Sequence, residues 1–587
     1  IKRMTIIKKL RLHGFKSFAK LTEVEFGDGF NCVIGANGSG KSCSYDTIVT
    51  LSNGQEIEIG KLVEDKLKEV KEIKTLKDGV YCDGGDTFLS SINLVTMKLE
   101  EKKISKYIKR KGEKLYKIIT RSGRSVKATG SHPVMILNEG ILKSVLIKDL
   151  NRNDLIATPR RIITNNSCDF DKEKARLLGY LIGDGYIAKD RIEFVNNDVN
   201  VLRDFEYIIN KIYSNANLKK RYEKNITRFY IRNKEIVREI RDYFDKESKE
   251  SITSSTKKIP EVLMKSNNEV IINVLAGLYD TDGSIRKDAS IVELCSKNSL
   301  LIDQVQKLLL RFGILSKIKK RTSFAYNTIN KTTRDYFYLY IYGSENIKKF
   351  YINIPLKCSN KSNLLKKISD IMIKSNPNVD LLPKETNKFI KKAVNLLGIK
   401  VKLLREKYPK LVAYVEDRCC PSRDGLKEIL SIFDTKLLLI SNSEIGLKKD
   451  VFNLINVMDS LHISGRTAAG SIGLTKHIIR DYWATGRYSP REENLNYFYE
   501  FIKEAIKIRL NELKDVMSSL HYLASSDIFW DEIVEIKKVK EEKYVYDLTI
   551  ENNHNFIGNG IFVHNSNVSD AISFVLGRLS AKSIRAE

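Results

Sequence analysis

A phosphate-binding loop lies near the start of the chain, but the helix that such a loop needs lies at the other end. Residues 35–42 read Gly-Ala-Asn-Gly-Ser-Gly-Lys-Ser, which fits the pattern GxxxxGK[ST], and a strand-like run precedes them. The glycines would let backbone N–H groups surround a phosphate, Lys41 would supply charge, and Ser42 would offer a hydroxyl to Mg²⁺. After Ser42 the pattern is that of a strand and a turn, and the helix that would continue the loop is found at residues 567–577, with helical spacing at Val568, Ile572 and Val575. The sequence therefore predicts that residues 43–565 are an insertion that splits one phosphate-binding element.

The two flanking pieces resemble a known family once they are joined. Linking Ser42 to Ser566 gives GANGSGKSSNVSDAISFVLG, and residues 12–18 read Leu-His-Gly-Phe-Lys-Ser-Phe upstream. This resembles the N-terminal ATPase head of the structural maintenance of chromosomes (SMC) proteins. The resemblance implies that the joined product binds ATP with Mg²⁺, dimerises and binds DNA, in the cytoplasm on the nucleoid. The ATP-binding residues would be Gly35, Asn37, Gly38, Gly40, Lys41 and Ser42.

A rival interpretation takes the chain as an ATPase as it stands. It is disfavoured because the loop is interrupted and because the flanking pieces contain no strand ending in Asp-Glu that could serve as a Walker B motif. A second rival, a DNA-binding protein without any catalysis, stays open.

The charge balance predicts a polyanionic partner. The 587 residues include 101 Lys and Arg against 73 Asp and Glu, a net charge of +28, while 42% of residues are apolar. Such an excess favours DNA or RNA, although a generally lysine-rich proteome would give it too. No apolar run reaches about 18 residues, so we expect no membrane span. The eight cysteines form no CxxC pair, which favours a reducing, intracellular environment.

The ends of the insertion carry a distinctive set of residues. It begins with Cys43 and ends with His564-Asn565, directly before Ser566. Residues 129–132, Thr-Gly-Ser-His, fit a TxxH pattern, and residues 151–160 follow as a strand-like run. Further blocks lie at residues 546–550, 554–556 and 559–565. In this order the blocks resemble an intein, a self-splicing insertion with an all-β Hint-type domain.

The resemblance gives each end a role in the chemistry. The Cys43 thiolate would attack the carbonyl of Ser42 and convert the peptide bond into a thioester. Thr129 and His132 would polarise or protonate the scissile amide and hold the oxyanion. By resemblance alone, Asp547 would coordinate the two ends, and His554 belongs to the same catalytic set.

The second junction would complete the reaction without any cofactor. The Ser566 hydroxyl would attack the thioester, and the Asn565 side-chain amide would close a succinimide and cut the chain. His564 would donate a proton to that step. Taken singly, such residues are more often structural, and a buried cysteine is usually a small hydrophobe; the conjunction favours splicing.

Two motifs inside the insertion resemble the LAGLIDADG homing endonucleases. Residues 177–187 contain Gly179, Asp184 and Gly185, and residues 275–285 repeat the pattern more closely, ending at Asp282. Small residues four apart, at 179/183 and 277/281, would let two helices pack closely. Each helix would then end at its aspartate, which brings two carboxylates together over DNA. Asp184 and Asp282 would bind Mg²⁺ at the scissile phosphates.

The motifs begin an internal repeat that predicts two αββαββα halves. Residues 192–194 recur at 292–294, and Lys219-Lys220-Arg221 recurs as residues 319–321. Basic and aromatic positions alternate in the strand-like runs that follow, which suits phosphate contacts and base readout in a major groove. By resemblance, Lys257 and Lys361 would stabilise the transition state, although they could equally contact backbone phosphates only. A decayed nuclease that still binds DNA remains an alternative.

A mostly helical pattern fills residues 371–525, and it contains a weak repeat. Tyr414 and the run at 418–423 are echoed by Tyr482 and the run at 487–491, both fitting R-x-x-P-x-x-x-x-L. Because proline suits the first turn of a helix, each unit is predicted to be helix, turn, helix. Such regions in archaeal inteins recognise DNA; a helical spacer is the alternative.

The predicted architecture is multidomain, with P-loop α/β fragments at both ends. The expected double-stranded DNA target is the uninterrupted gene at the codons that join Ser42 to Ser566. The predicted boundaries are 1–42, 43–165 (splicing domain), 166–370 (α+β endonuclease), 371–525 (accessory DNA-recognition region), 526–565 (splicing domain) and 566–587.

Overall fold

The structure is a computed structural model that describes residues 9–12, 22–25, 42–76, 78–165, 168–223, 225–245, 251–324, 333–371, 379–401 and 405–564. Two short strands, β1 (Lys9–Leu12) and β2 (Thr22–Glu25), pair antiparallel upstream of the insertion. No helix within the described ranges is both long and apolar enough to cross a membrane. The phosphate-binding residues Gly35, Asn37, Gly38, Gly40 and Lys41 lie outside the described residues, as do Asn565 and Ser566.

Residues 42–165 form the first part of a β-rich domain, called the β-domain below. Its elements are β3 (Ile48–Thr50), β4 (Glu56–Glu58), α1 (Ile59–Glu69), β5 (Lys74–Leu76), β6 (Gly79–Asp83), β7 (Phe88–Ile92), β8 (Leu99–Lys111), β9 (Leu115–Thr120), β10 (Ser125–Thr129), β11 (Pro133–Asn138), β12 (Ile141–Leu146) and β13 (Leu155–Pro159). The expectation of an all-β domain is wrong at α1. Ile59, Leu62 and Val63 have helical spacing and are buried together, so this segment gains more from a helix that packs on β8 than from a strand.

Residues 172–371 form a domain of α-helices and antiparallel β-sheets with two similar halves, which is the predicted α+β class; it is called the α/β domain below. The first half contains α2 (Lys172–Gly183), β14 (Gly185–Ile187), β15 (Ile192–Asn196), α3 (Val199–Ile212), β16 (Lys219–Glu223), β17 (Ile226–Ile231) and α4 (Lys234–Phe244). The short α5 (Glu261–Met264) leads to α6 (Asn268–Thr281), β18 (Gly283–Arg286), β19 (Ile291–Ser296), α7 (Ser299–Arg311), β20 (Lys317–Phe324), β21 (Thr333–Ile341), α8 (Ser344–Asn353) and α9 (Ser359–Ile371). The strand orders β14-β15-β17-β16 and β18-β19-β21-β20 match each other. The element order of the predicted halves is therefore confirmed.

The strand register corrects one part of the predicted repeat. Lys219 lies opposite Tyr230, and Lys317 lies opposite Tyr340, at the same place in the two sheets. The counterpart of Lys219 is thus Lys317, and the expected pairing with Lys319 is wrong. The first half has one more residue in α3 than the second half has in α7, and one more in the connection before β16, so the similar letters at 219–221 and 319–321 are out of structural register by two residues.

Residues 379–525 form a helical region. It contains α10 (Thr386–Leu396), α11 (Pro409–Val415), α12 (Arg423–Ile445), α13 (Val451–Ser460), α14 (Gly465–Ser471), a π-helical turn at Ile478–Trp483 and α15 (Glu492–Ser525). In both predicted units a residue with positive φ ends the first helical segment, Asp417 (φ 57°) and Gly486 (φ 69°). The counterpart of Tyr414, which is 3% exposed, is Trp483 at 2%, whereas Tyr482 is 46% exposed. The expected equivalence of Tyr414 with Tyr482 is therefore off by one residue.

The chain then returns to complete the β-domain. The returning strands are β22 (Ile528–Val539), β23 (Tyr544–Ile550), β24 (Asn555–Gly558) and β25 (Ile561–His564). They do not form a separate layer but insert among the earlier strands. The large sheet has the order β10-β9-β22-β13-β11-β25-β24-β3-β4, and the smaller one has β23-β8-β6-β5. Both ends of the inserted segment are thus held inside one sheet system.

The β-domain contacts both other regions. Arg423 of α12 is 1% exposed and donates to Asp380, which also accepts from Arg160 beside β13 at 2.7 Å. The turn between β9 and β10 rests on the α/β domain, where the Ile318 N–H of β20 donates to the Ser122 carbonyl at 2.9 Å. The β-domain therefore packs against both the helical region and the α/β domain.

Candidate functional site

The first junction is clamped between strands from opposite ends of the insertion. The Cys43 N–H donates to the Tyr546 carbonyl at 2.7 Å, and the Tyr546 N–H donates to the Cys43 carbonyl at 2.9 Å. On the other side, the Thr129 N–H donates to the Ser42 carbonyl at 2.9 Å, and the Ser42 N–H donates to Thr129 Oγ1 at 3.2 Å. The Ser42–Cys43 peptide is fixed on both sides, and its carbonyl oxygen already faces a backbone donor. A donor in this place can stabilise an oxyanion.

The Cys43 thiol lies in a buried, negatively charged setting. Cys43 is 0% exposed, and burial, followed by the Asp547 charge, raises the pKa of its thiol well above the ordinary value. Asp547 is itself 4% exposed and accepts the Leu548 N–H at 2.8 Å. The thiol is therefore protonated at neutral pH in this arrangement. The nucleophilic thiolate needs a proton acceptor next to it, which the Asp547 carboxylate can be.

The predicted TxxH residues lie in the turn between β10 and β11. His132 is fully buried, and its N–H donates to the Thr129 carbonyl at 3.0 Å. The Ile147 N–H donates to the His132 carbonyl at 3.0 Å, so a second hydrogen bond holds the turn. Because Thr129 binds Ser42, this turn ties the predicted histidine to the backbone of the junction.

The end of the insertion reaches the same sheet. His564 is 2% exposed and is the last residue of β25, and the preceding Val563 lies opposite Val134, two residues after His132. His554 stands in the turn before β24 with a positive φ of 51°. The described part of the second junction thus approaches the first one, while Asn565 and Ser566 lie beyond the described residues.

Asn555 supports this junction, although the sequence did not single it out as a site residue. It lies opposite His564 in the β24–β25 hairpin and is 0% exposed. Its Oδ1 accepts the Ile92 N–H and its Nδ2 donates to the Ile92 carbonyl, both at 2.8 Å. A polar residue at the start of an otherwise apolar strand was the signal that could have identified it.

The two motif helices of the α/β domain pack through their small residues, as predicted. A Cβ added at Gly179 would lie 2.4 Å from the Val274 carbonyl oxygen, and one at Gly277 would lie 2.5 Å from that of Arg176. Gly183 meets the Thr281 side chain in the same way. The helices α2 and α6 therefore touch backbone to backbone, and their C-terminal ends lie side by side.

Each helix end carries one of the predicted aspartates. Asp184 is half-buried, and its Oδ2 accepts from Asn196 Nδ2 at 2.7 Å. Asp282 reaches solvent, yet loss of hydration among the crowded helix ends, together with the nearby Asp184 charge, raises its pKa to about 6. Two carboxylates that repel each other at an open surface form a place for a divalent cation. Among the described residues, no three His, Cys, Asp or Glu side chains cluster into a complete metal cage.

The two predicted lysines lie at the same helix ends. Lys257 is 3% exposed, and its Nζ donates to the carbonyls of Gly183 at 2.8 Å and Gly185 at 2.6 Å. Burial lowers the pKa of Lys257 to about 8, against the opposing effect of the two aspartates. Lys361 Nζ donates to the carbonyls of residues 279–281 at 2.7–3.1 Å, and burial lowers its pKa too. Each lysine therefore caps one motif helix.

The outer sheet of each half presents basic and aromatic residues side by side. In the second half Lys319 lies opposite Tyr338, and the Arg321 guanidinium is 5.2 Å from the centre of the Tyr338 ring. In the first half Lys219 and Arg221 are exposed on β16. Opposed residues in an antiparallel pair point to one face, so each sheet has a surface of cations and rings.

Comparisons with known proteins identify one family and several similar chains. Residues 49–565 match the family of intein splicing domains. A relative is the replication factor C small subunit of Methanocaldococcus jannaschii, 27% identical across 91% of this chain and 30% of that protein, so the chain spans less than two thirds of its length. Among solved structures, the PabCDC21-1 intein is 30% identical over 21% of this chain and 74% of its own, with a TM-score of 0.20. The homing endonuclease I-DmoI is 17% identical over 33% of this chain and 97% of its own, with a TM-score of 0.25.

Proposed function

The chain belongs to the intein splicing-domain family, and from that premise we propose that residues 43–565 excise themselves and join Ser42 to Ser566. The observation that carries the proposal is the clamp on the Ser42–Cys43 peptide. The Thr129 N–H lies 2.9 Å from the carbonyl oxygen that would become an oxyanion, next to a buried thiol and a carboxylate. This arrangement places an oxyanion donor, a nucleophile and a proton acceptor around one peptide bond, which is what cleavage of that bond requires.

The first step exchanges an amide for a thioester. The Cys43 thiol gives its proton to Asp547, and its sulfur attacks the Ser42 carbonyl carbon while the Thr129 N–H stabilises the oxyanion. When the C–N bond breaks, His132 delivers a proton to the departing Cys43 nitrogen, which becomes a free amine.

The later steps use the second junction. The Ser566 hydroxyl attacks the thioester and forms an ester, which releases the Cys43 thiol. The Asn565 side-chain nitrogen then attacks its own backbone carbonyl, and His564 gives a proton to the departing Ser566 nitrogen. A succinimide remains on the excised segment, and the ester moves to the free Ser566 amine as an amide. No cofactor enters any step.

Single substitutions at the two junctions test the splicing proposal. Cys43→Ala should prevent the thioester and ligation but permit release of the C-terminal piece, whereas Asn565→Ala should stop C-terminal cleavage. Mass spectrometry of the purified chain would identify the joined product, the excised segment and the branched ester. Ligated product from the double variant would refute the mechanism.

A second activity, site-specific cleavage of double-stranded DNA, is favoured by the paired helix ends of the α/β domain. Asp184 and Asp282 would hold Mg²⁺, and the ion would supply Lewis acidity to a water molecule and to the phosphate. Lys257 and Lys361 would approach the scissile phosphates, and the sheet surfaces around Lys219 and Lys319 would follow the major groove. The helical region would contact the flanking duplex. The alternative is a nuclease that has decayed and only binds DNA.

The natural target would be the uninterrupted gene across the codons for Gly40-Lys41-Ser42 joined to Ser566-Asn567. Cleavage of that duplex, but not of one carrying the insertion, would support the nuclease, and binding should weaken steeply with salt. Specific binding without cleavage under any divalent cation would select the decayed alternative.

The host is proposed to be an SMC-type ATPase whose phosphate loop is restored by splicing. A phosphate loop needs its N–H groups and the following helix to converge on one point, yet Ser42 is held in the β-domain by Thr129. A full-length host blocked in splicing should therefore bind ATP far more weakly than the ligated host. Equal affinities in a nucleotide titration would refute this part of the proposal.

A further inference from the structure

Asp280, two residues before the motif aspartate Asp282, anchors the segment that carries Lys361. Its side chain is 0% exposed, and its Oδ1 accepts the backbone N–H groups of Lys357 and Cys358, both at 2.8 Å. These residues directly precede α9, and Lys361 lies in the first turn of that helix. Lys361 in turn donates to the carbonyls at the end of α6. The end of α6 and the start of α9 thus hold each other in place from both directions.

A buried cation fixes the orientation of Asp280. Arg176 of α2 is 5% exposed, and its Nη2 donates to Asp280 Oδ2 at 2.7 Å. The same guanidinium donates to the Tyr180 hydroxyl at 3.0 Å and lies 2.9 Å from Asp204. A buried carboxylate with this many partners has little freedom to move, because each displacement would leave a charge without compensation.

Lys257 is anchored by neutral groups instead. The position two residues before Asp184 is Ile182, an apolar core residue. The Lys257 segment is held from α7, where Gln304 accepts the Ile259 N–H at 2.8 Å and donates to the Ile259 carbonyl at 3.1 Å. Asn298 Nδ2 also donates to the Lys257 carbonyl at 2.8 Å. The two halves therefore have matching lysines with different supports.

We propose that Asp280 is a positioning residue that holds Lys361 for the cleavage of one DNA strand, and that Gln304 does the same for Lys257 and the other strand. The inference rests on the nuclease function proposed above. Catalytic groups must stay within about half an ångström of their working position, so loss of one anchor should slow one strand and spare the other. A role in stability alone predicts equal losses on both strands.

Strand-specific cleavage tests this inference. The full chain, kept intact by Cys43→Ala and Asn565→Ala, is incubated with target duplex labelled on either strand, and each nicking rate is measured. Asp280→Asn should slow one strand by roughly tenfold to a hundredfold, the effect of losing a charge-assisted contact, with little change on the other. Gln304→Ala should slow the opposite strand. Lys361→Ala combined with Asp280→Asn should add little to the slowed strand, since both changes disable the same group.

A readout independent of cleavage guards against misfolding. Mass-spectrometric lysine labelling of the metal-free chain should show Lys361 more reactive in Asp280→Asn while Lys257 is unchanged. Arg176→Met with Asp280→Asn removes the buried Arg176–Asp280 pair, while Asp204 keeps Lys357 at 3.4 Å, so this variant loses the anchor without leaving the Arg176 charge unpaired. Equal slowing of both strands, or unchanged Lys361 labelling in a folded variant, would overturn the inference alone. Failure of the parent chain to cleave would overturn the nuclease proposal and this inference with it.

Discussion

The junction centre around Cys43 and the paired-helix centre around Asp282 are built in opposite ways. The first is assembled from strands that are far apart in the chain, with Thr129 and Tyr546 on either side of one peptide bond. The second is assembled from two copies of one motif, with Gly179 and Gly277 at the contact. A reaction on the protein's own backbone needs that backbone to be held by its neighbours, whereas a reaction on a nearly symmetrical duplex can use a duplicated unit.

The junction centre is buried, whereas the paired-helix centre is open to solvent. Cys43 and His132 are 0% exposed, so the first centre excludes water that could hydrolyse a thioester. Asp282 reaches solvent, as it must if a phosphate group and a cation are to arrive from outside. The two centres should therefore respond independently to substitution and to solution conditions.

Removing the carboxylates at the paired-helix centre should have the largest effect. Asp184→Asn or Asp282→Asn should lower DNA cleavage by about a thousandfold or more, the several kcal/mol that a bound metal ion contributes. Splicing should proceed at the parent rate, because the junction is held by other strands. Parallel assays of plasmid cleavage and of ligated product would check both expectations. A matching loss of splicing would show that the two centres are not independent.

The sequence predicted the elements at both centres better than their supports. Cys43, His132, Asp184 and Asp282 stand out because their residue types and spacing are specific, and the order of strands and helices in the two halves follows from the motif resemblance and the internal repeat. Asp280 and Asn555 do not stand out, because their partners are backbone groups that come close only after folding. The match between residues 219–221 and 319–321 shows the same limit, because similar residues need not occupy equivalent strand positions when the segments before them differ in length.

A methyl group added at the contact between α2 and α6 should destabilise the paired-helix centre without destabilising the junction centre. Gly277→Ala places a Cβ 2.5 Å from the Arg176 carbonyl oxygen, which forces α2 and α6 apart and should cost about 1–3 kcal/mol or more. Cleavage should be lost at a lower temperature while splicing persists. Gly470→Ala is the matched control, since no atom beyond its chain neighbours and its own helix backbone lies within 4 Å of the added Cβ. If calorimetry showed that both substitutions destabilise the chain equally, the close contact of α2 and α6 at Gly277 would not be the cause.

The junction centre should also have its own pH dependence. Burial and Asp547 raise the pKa of the Cys43 thiol, so the thiolate fraction is small at neutral pH and grows with pH up to the raised pKa. Loss of the thiol proton to solvent adds to its transfer to Asp547 as the pH rises, so thioester formation should accelerate with pH, by less than about tenfold per pH unit. Thiol-induced cleavage in the Asn565→Ala chain measures this step. A rate that falls between pH 7 and 9 would show that proton donation, not thiol ionisation, limits it.

The smallest effect should come from the contact that links the two centres. Gln306 of α7 donates to the carbonyls of Ser122 at 3.2 Å and Ser316 at 3.1 Å, and Ser122 lies in the turn that leads along β10 to Thr129. Gln306→Ala removes one of the hydrogen bonds on the Ser122 carbonyl, but the Ile318 N–H still donates to it at 2.9 Å, and the Ser122 N–H still donates to Asp531 at 3.1 Å. A typical hydrogen bond contributes about 1 kcal/mol to stability, and the remaining contacts keep the turn in place, so the splicing rate should stay within about a factor of two. If splicing slowed by tenfold, or if bound target DNA changed it only in the parent chain, β10 would be a route of communication and the two centres would no longer count as separate.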